Sequence, residues 1–100
     1  MPADLEAIVA AARRGTLEFT DHYIHEREGQ GDRPTTDEIQ RSLREGELTI
    51  ASDDLGARDD RGAVCEVRCR SRSGRRMAVR INYEKSPMLV VTAYWMSRDG

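Results

Sequence analysis

The sequence predicts an α+β fold, with two to three N-terminal helices packed on an antiparallel sheet of about four strands. Two observations carry this. Apolar residues recur at helical spacing up to residue 46, and from there to residue 97 they alternate with a period of two. A third is the lack of any internal repeat or low-complexity segment in 100 residues. The chain reads as one domain, 1–100, with a helical part (1–46) followed by a sheet meander (47–97).

Leu5, Ile8, Val9 and Ala12 fall at i, i+3, i+4 and i+7, which makes one apolar stripe on a helix from Asp4 to Arg14. Asp4 suits its cap, Arg13 and Arg14 suit its last turn, and Gly15 stops it. Thr20 stands where a cap would precede a short second helix, Asp21 to Glu28, broken by Gly29 and Gly31. Thr35 and Glu38 have the spacing of a capping box. They open a third helix to Glu45, with Ile39 and Leu43 on one face and Gly46 as the stop. Glu47 to Ser52 is the first expected strand. Ala63 to Arg70 alternates, with Ala63, Cys65, Val67 and Cys69 on one face and Val64, Glu66, Arg68 and Arg70 on the other. After a turn at Ser71–Arg75, Met77, Val79, Ile81 and Tyr83 alternate against Ala78, Arg80 and Asn82. Met88 to Trp95 is apolar on both faces, as a covered central strand is.

Hydrophobic residues make up 38% and charged residues 34% of the chain, polar for a globular domain but too apolar and too balanced in charge for a disordered one. No apolar run is long enough to span a bilayer. The N-terminus has an acid first and its arginines after the apolar part, the reverse of a secretory signal. These features point to a soluble, cytoplasmic protein that does not engage a membrane. Cys65 and Cys69 are four apart on one strand face, about 13 Å at 3.3 Å per residue. They cannot join in a disulfide on a straight strand, and they read as small core residues. The net charge of −2 conceals an asymmetry. Residues 1–57 carry 13 acids and 6 arginines, net −7, and residues 58–80 carry 8 arginines and 3 acids, net +5. An arginine-rich hairpin on an acidic body is a docking face for phosphates or for an acidic partner.

The residues also carry a resemblance. A leading helix is followed by FTDH (19–22), an arginine a few positions on, then Arg33, a Thr-capped helix ending in EGEL (45–48), and a meander closing on VVTAYW (90–95). This resembles domain-of-unknown-function family 4258 over nearly the whole chain. That family is thought to be related to the RelE and MqsR toxin endoribonucleases and to the wider barnase–colicin–RelE fold. The resemblance implies a toxin-like fold and cleavage of mRNA without a metal or other cofactor. It also implies an antitoxin partner that holds the protein silent. Carried over by position, the family histidine is His22, and the closing threonine and tyrosine are Thr92 and Tyr94. The arginine after the histidine is either Arg27 or Arg33. Tyr23 replaces the usual small residue after the histidine, and Pro34 replaces the usual isoleucine after Arg33.

RNA cleavage by transesterification needs a base for the 2′-OH proton, an acid for the leaving 5′-oxygen, and a cation for the pentacoordinate phosphate. Histidine serves as either proton carrier near neutrality, and the arginine fork grips a dianionic transition state. His22, Arg27 and Arg33 supply both residue types within one segment. The alternatives for His22 and His25, three apart on a helix, are two polar groups on a half-exposed surface or a partial metal site. No third spaced ligand supports the metal site. On the sheet, Arg68, Arg70 and Arg80 fall on the face opposite the apolar one, together with Thr92 and Tyr94. Bases stack on tyrosine or arginine planes and phosphates pair with the forks. The alternative is a solvated outer face on which Glu66 pairs an arginine across strands. The function expected is a metal-independent endoribonuclease of a bacterial toxin–antitoxin pair, with His22, Arg27, Arg33 and Tyr94 catalytic. Arg68, Arg70, Arg80 and Thr92 would then bind RNA. The rival is a non-catalytic module whose arginine face docks an acidic protein.

Overall fold

A computed structural model describes residues 3–30, 33–45, 47–53 and 62–96, except for the side chains of 26–30. It is an α+β fold of three helices and a five-stranded mixed sheet. The expected helix stop at Gly46, the loop residues Gly31 and Asp32, the arginines Arg58 and Arg61 and the side chain of Arg27 lie outside the described residues.

The helices form for local reasons. Helix α1 (Leu5–Arg14) is capped by the Asp4 carboxylate, which accepts from Glu6 N at 3.0 Å, and closed by Gly15. Gly15 has φ +70°, a left-handed conformation that a side chain would strain. Helix α2 (Asp21–Gln30) is capped by Thr20, whose Oγ1 accepts from Tyr23 N at 3.0 Å. It continues through Gly29 to Gln30, so the expected break at Gly29 is corrected. A helical glycine costs only about 1 kcal/mol relative to alanine. Helix α3 (Thr36–Glu45) starts in the expected capping box: Glu38 N donates to Thr35 Oγ1 and Thr35 N donates to Glu38 Oε1, both at 3.0 Å.

The strands are β1 (Glu18–Phe19), β2 (Thr49–Ser52), β3 (Val64–Arg70), β4 (Arg76–Asn82) and β5 (Leu89–Trp95), in the order β1-β5-β4-β3-β2. The expected sheet of about four antiparallel strands is corrected by β1, which pairs parallel to β5. Glu18 N donates to Met88 O at 2.9 Å and Thr20 N to Val90 O at 3.1 Å. Two residues are too few to show a period, so this strand is specified by its partner. The other pairs are antiparallel. Near Arg80 the β4–β5 register shifts: Arg80 faces Thr92 and Ile81 faces Val90, leaving Val91 as an extra residue.

One sheet face and the helices make the core, which includes Ile8, Ala12, Tyr23, Ile39, Leu43, Cys65, Val67, Cys69, Met77, Val79, Ile81, Val90 and Ala93. Cys65, Val67, Met77, Val79 and Ile81 are the inward set that the alternation predicts. Tyr23 is fully buried and its hydroxyl donates to the carbonyl of Pro34, which is buried too. No helix among the described residues is long and apolar enough to cross a membrane.

Candidate functional site

The outer face of the sheet carries an ordered array of side chains. Partners directly opposite across strands point to one face. The register therefore makes two rows, Arg68–Ala78–Tyr94 and Glu66–Arg80–Thr92, each running from β3 through β4 to β5. Arg68 and Arg80 are diagonal neighbours, so the two cations do not face each other across a strand pair.

Glu66 is the anchor. Its side chain is 5% exposed, and the charge is buried on what the sequence presents as a solvated face. A buried carboxylate is costly unless its lone pairs are satisfied, and here three donors reach it. Arg68 Nε donates to Oε2 at 3.0 Å, Arg80 Nε to Oε1 at 3.2 Å, and Tyr94 OH to Oε1 at 2.9 Å. Burial alone would raise the carboxyl's pKa. The bonds from Tyr94, Arg68 and Arg80 and the charge of Arg80 outweigh it, and the net shift is downward. Tyr94 reaches Glu66 across β4, a span of roughly 10 Å between strands two apart. The small, fully buried Ala78 is the direct neighbour of Tyr94 on β4, and the diagonal from Tyr94 to Glu66 passes beside it.

The arginines are therefore partly engaged. Arg68 and Arg80 lie on the outer face as the alternation predicts, Arg68 exposed and Arg80 half-buried, each with 43% of its side chain exposed and one edge drawn to Glu66. The face is also more covered than simple alternation implies, since Val64 and Asn82, opposite each other on β3 and β4, are buried. Arg33 joins the array from the segment just ahead of the third helix. Its Nη1 donates to Ala93 O at 3.0 Å and lies 3.5 Å from Thr92 Oγ1. The cap of α2 meets the same strand, with Thr20 Oγ1 donating to Val91 O at 3.1 Å. His22, the second residue of that helix, is exposed, and so is His25 one turn on.

Six residues are thus gathered: Arg33, Glu66, Arg68, Arg80, Thr92 and Tyr94. Arg70 is not among them. It lies at the end of β3 opposite Arg76 and lines a separate groove with Arg41, Glu45, Glu47 and Arg72. The hydroxyl of Tyr94 is turned to Glu66, so its geometry suits holding the carboxylate. Glu66 pairs an arginine across strands, as the solvated-face alternative expected, but its burial and its place at the centre of the array were not foreseen. The available signal was its position as the one acid on the arginine face of AVCEVRCR, two residues from Arg68. Among the described residues no group of three or more His, Cys, Asp or Glu side chains is gathered.

Chemically, the array offers fixed guanidinium groups beside a shielded carboxylate and a strand edge lined by hydroxyls. Guanidinium groups of this kind can pair with an anion such as a phosphodiester. A family model described as "Domain of unknown function (DUF4258)" matches residues 19–95, which span every residue of the array. Comparisons with curated proteins and with solved structures give no match.

Proposed function

The chain belongs to the DUF4258 family, and from that membership and the array we propose that it is a metal-independent endoribonuclease. In this reading it is the toxin of a bacterial toxin–antitoxin pair, similar in kind to the RelE and MqsR toxins. It acts on mRNA and is silenced by an antitoxin. The observation that carries the reading is the convergence of Arg33, Arg68 and Arg80 with Thr92 and Tyr94 on one sheet face beside the start of α2. Arginines at fixed spacing match the phosphate of a single-stranded RNA, and the tyrosine ring offers a stacking surface for a base. His22 is the proton carrier for 2′-OH attack or 5′-oxygen departure, and Arg27 or Arg33 braces the phosphate. The closing threonine and tyrosine line the strand on which the RNA lies.

One observation favours a second reading. Both Arg68 and Arg80 already hold Glu66, which lowers the positive charge of the face below its arginine count. A non-catalytic module that docks an acidic protein needs no more than this. Expression of the chain alone separates the two. The nuclease reading expects growth arrest and fragmented RNA, both abolished by His22→Ala and little changed by His25→Ala, with the fold intact in each. Normal growth and whole RNA with abundant folded protein would leave the docking module.

A further inference from the structure

We infer that Glu66 is a positioning residue: it holds Arg68 and Arg80 by their Nε edges and so presents their terminal nitrogens outward as one preset cradle for a phosphodiester of single-stranded RNA. This rests on the RNA reading above and deepens it.

The geometry departs from that of a bridge made for its own sake. An arginine paired for stability alone tends to meet a carboxylate through two parallel N–H groups. Here each guanidinium gives Glu66 a single Nε bond, at 3.0 Å from Arg68 and 3.2 Å from Arg80. The terminal Nη groups of both make no further bond among the described residues, and each side chain is 43% exposed. Glu66 itself is almost inaccessible, with 5% of its side chain exposed. It cannot touch a substrate atom without the cluster opening, which separates its role from that of a proton carrier. Tyr94 fixes the carboxylate from the far side, along a diagonal that passes beside Ala78. The result is two guanidinium groups with their rotations arrested about one shared pivot. Arg33 is held at the next strand by Ala93 O, so a third cation stands at the end of the row.

Electrostatics and positioning predict opposite results here. If Glu66 only subtracts charge, removing it makes the face more basic. RNA then binds more tightly, and the salt slope steepens by up to about 0.7, the value for one phosphate on a single strand. If Glu66 positions the arginines, removing it frees two long side chains that RNA must then order. Binding weakens by about tenfold, the combined cost of immobilising both.

The test uses the full chain and a fluorescein-labelled 2′-O-methyl RNA 12-mer, which cannot be cleaved, followed by anisotropy across a range of salt. Glu66→Gln is expected to bind about tenfold more weakly than wild type with no steeper salt slope. Equal or tighter binding with a steeper slope overturns the inference. Should Glu66→Gln fail to fold, Arg68→Lys decides. It keeps the charge but has no Nε edge with a second set of donors, so about tenfold weaker binding is expected and unchanged affinity overturns the inference. Cleavage of the unmodified 12-mer is scored separately. Wild type that binds but does not cleave defeats the nuclease reading and leaves the cradle standing. Wild type that binds no RNA defeats both.

Discussion

Replacing Tyr94 with phenylalanine removes one hydroxyl and keeps the ring, which isolates the bond from Tyr94 OH to Glu66 Oε1 at 2.9 Å. Hydrogen bonds to charged groups contribute about 1.5–3 kcal/mol. Arg68 and Arg80 remain on Glu66 in the variant, and Tyr94 is half-buried, so the lower end applies, about 1.5 kcal/mol. In a domain this size that lowers Tm by roughly 6–12 °C. The loss must also depend on pH in a stated direction. The folded Glu66 carboxyl lies below its ordinary value of 4.5, partly through Tyr94. A group whose folded pKa is depressed contributes stability above its unfolded pKa and loses that contribution as pH falls through the folded one. Tyr94→Phe moves the folded pKa back up, so wild type and variant should differ most near pH 7. The gap should narrow below about pH 4, where the unfolded carboxyl takes its proton. Urea denaturation at pH 7 and at pH 3 measures both gaps. An equal loss at the two pH values, or none at pH 7, would show that the hydroxyl does not act through the Glu66 charge.

Three more predictions concern the frame that holds the array. Burial pushes the Cys69 thiol up to about 12, and burial with the nearby Asp53 charge pushes Cys65 up to about 11. Iodoacetamide at pH 8 should therefore leave both thiols unmodified in the folded protein and label both in urea, as read by mass spectrometry. Thr35→Ala removes one half of the capping box and should cost about 1 kcal/mol, a fall in Tm of roughly 4–8 °C by calorimetry. Ala78→Leu puts a larger side chain beside the diagonal between Tyr94 and Glu66. It should reproduce the Tyr94→Phe pH dependence and add an overpacking cost of about 1–3 kcal/mol, whereas a loss independent of pH would mean that Ala78 does not gate the bond.

Periodicity made most of this fold legible. The stripe through Ile8 and Ala12, the box at Thr35 and Glu38, and the alternation through Cys65, Val67, Val79 and Ile81 each report a local preference that the tertiary structure keeps. The rest depends on partners far along the chain. Strand β1 exists because Glu18 and Phe19 lie against Leu89 and Val90, and nothing in two residues announces that. Helix α2 runs past Gly29 because one helical glycine is a small penalty against continued hydrogen bonding. At the site, alternation placed Arg68, Arg80, Thr92 and Tyr94 on one face, and the register agrees. It could not reveal that Glu66 is buried there. An acid among arginines reads as solvated, and its burial follows from three donors on three different strands.

The bond from Tyr23 to the Pro34 carbonyl has a consequence for how this protein can vary. The buried ring and the buried proline close a loop between positions eleven apart in the chain, and Arg33 is fixed to Ala93 immediately before that closure. Most of the stretch between the tyrosine and the arginine is helix α2, so the closure ties the first turn of that helix to the segment that carries Arg33. Tyr23 and Pro34 then act as one clasp. Changing either alone should loosen Arg33.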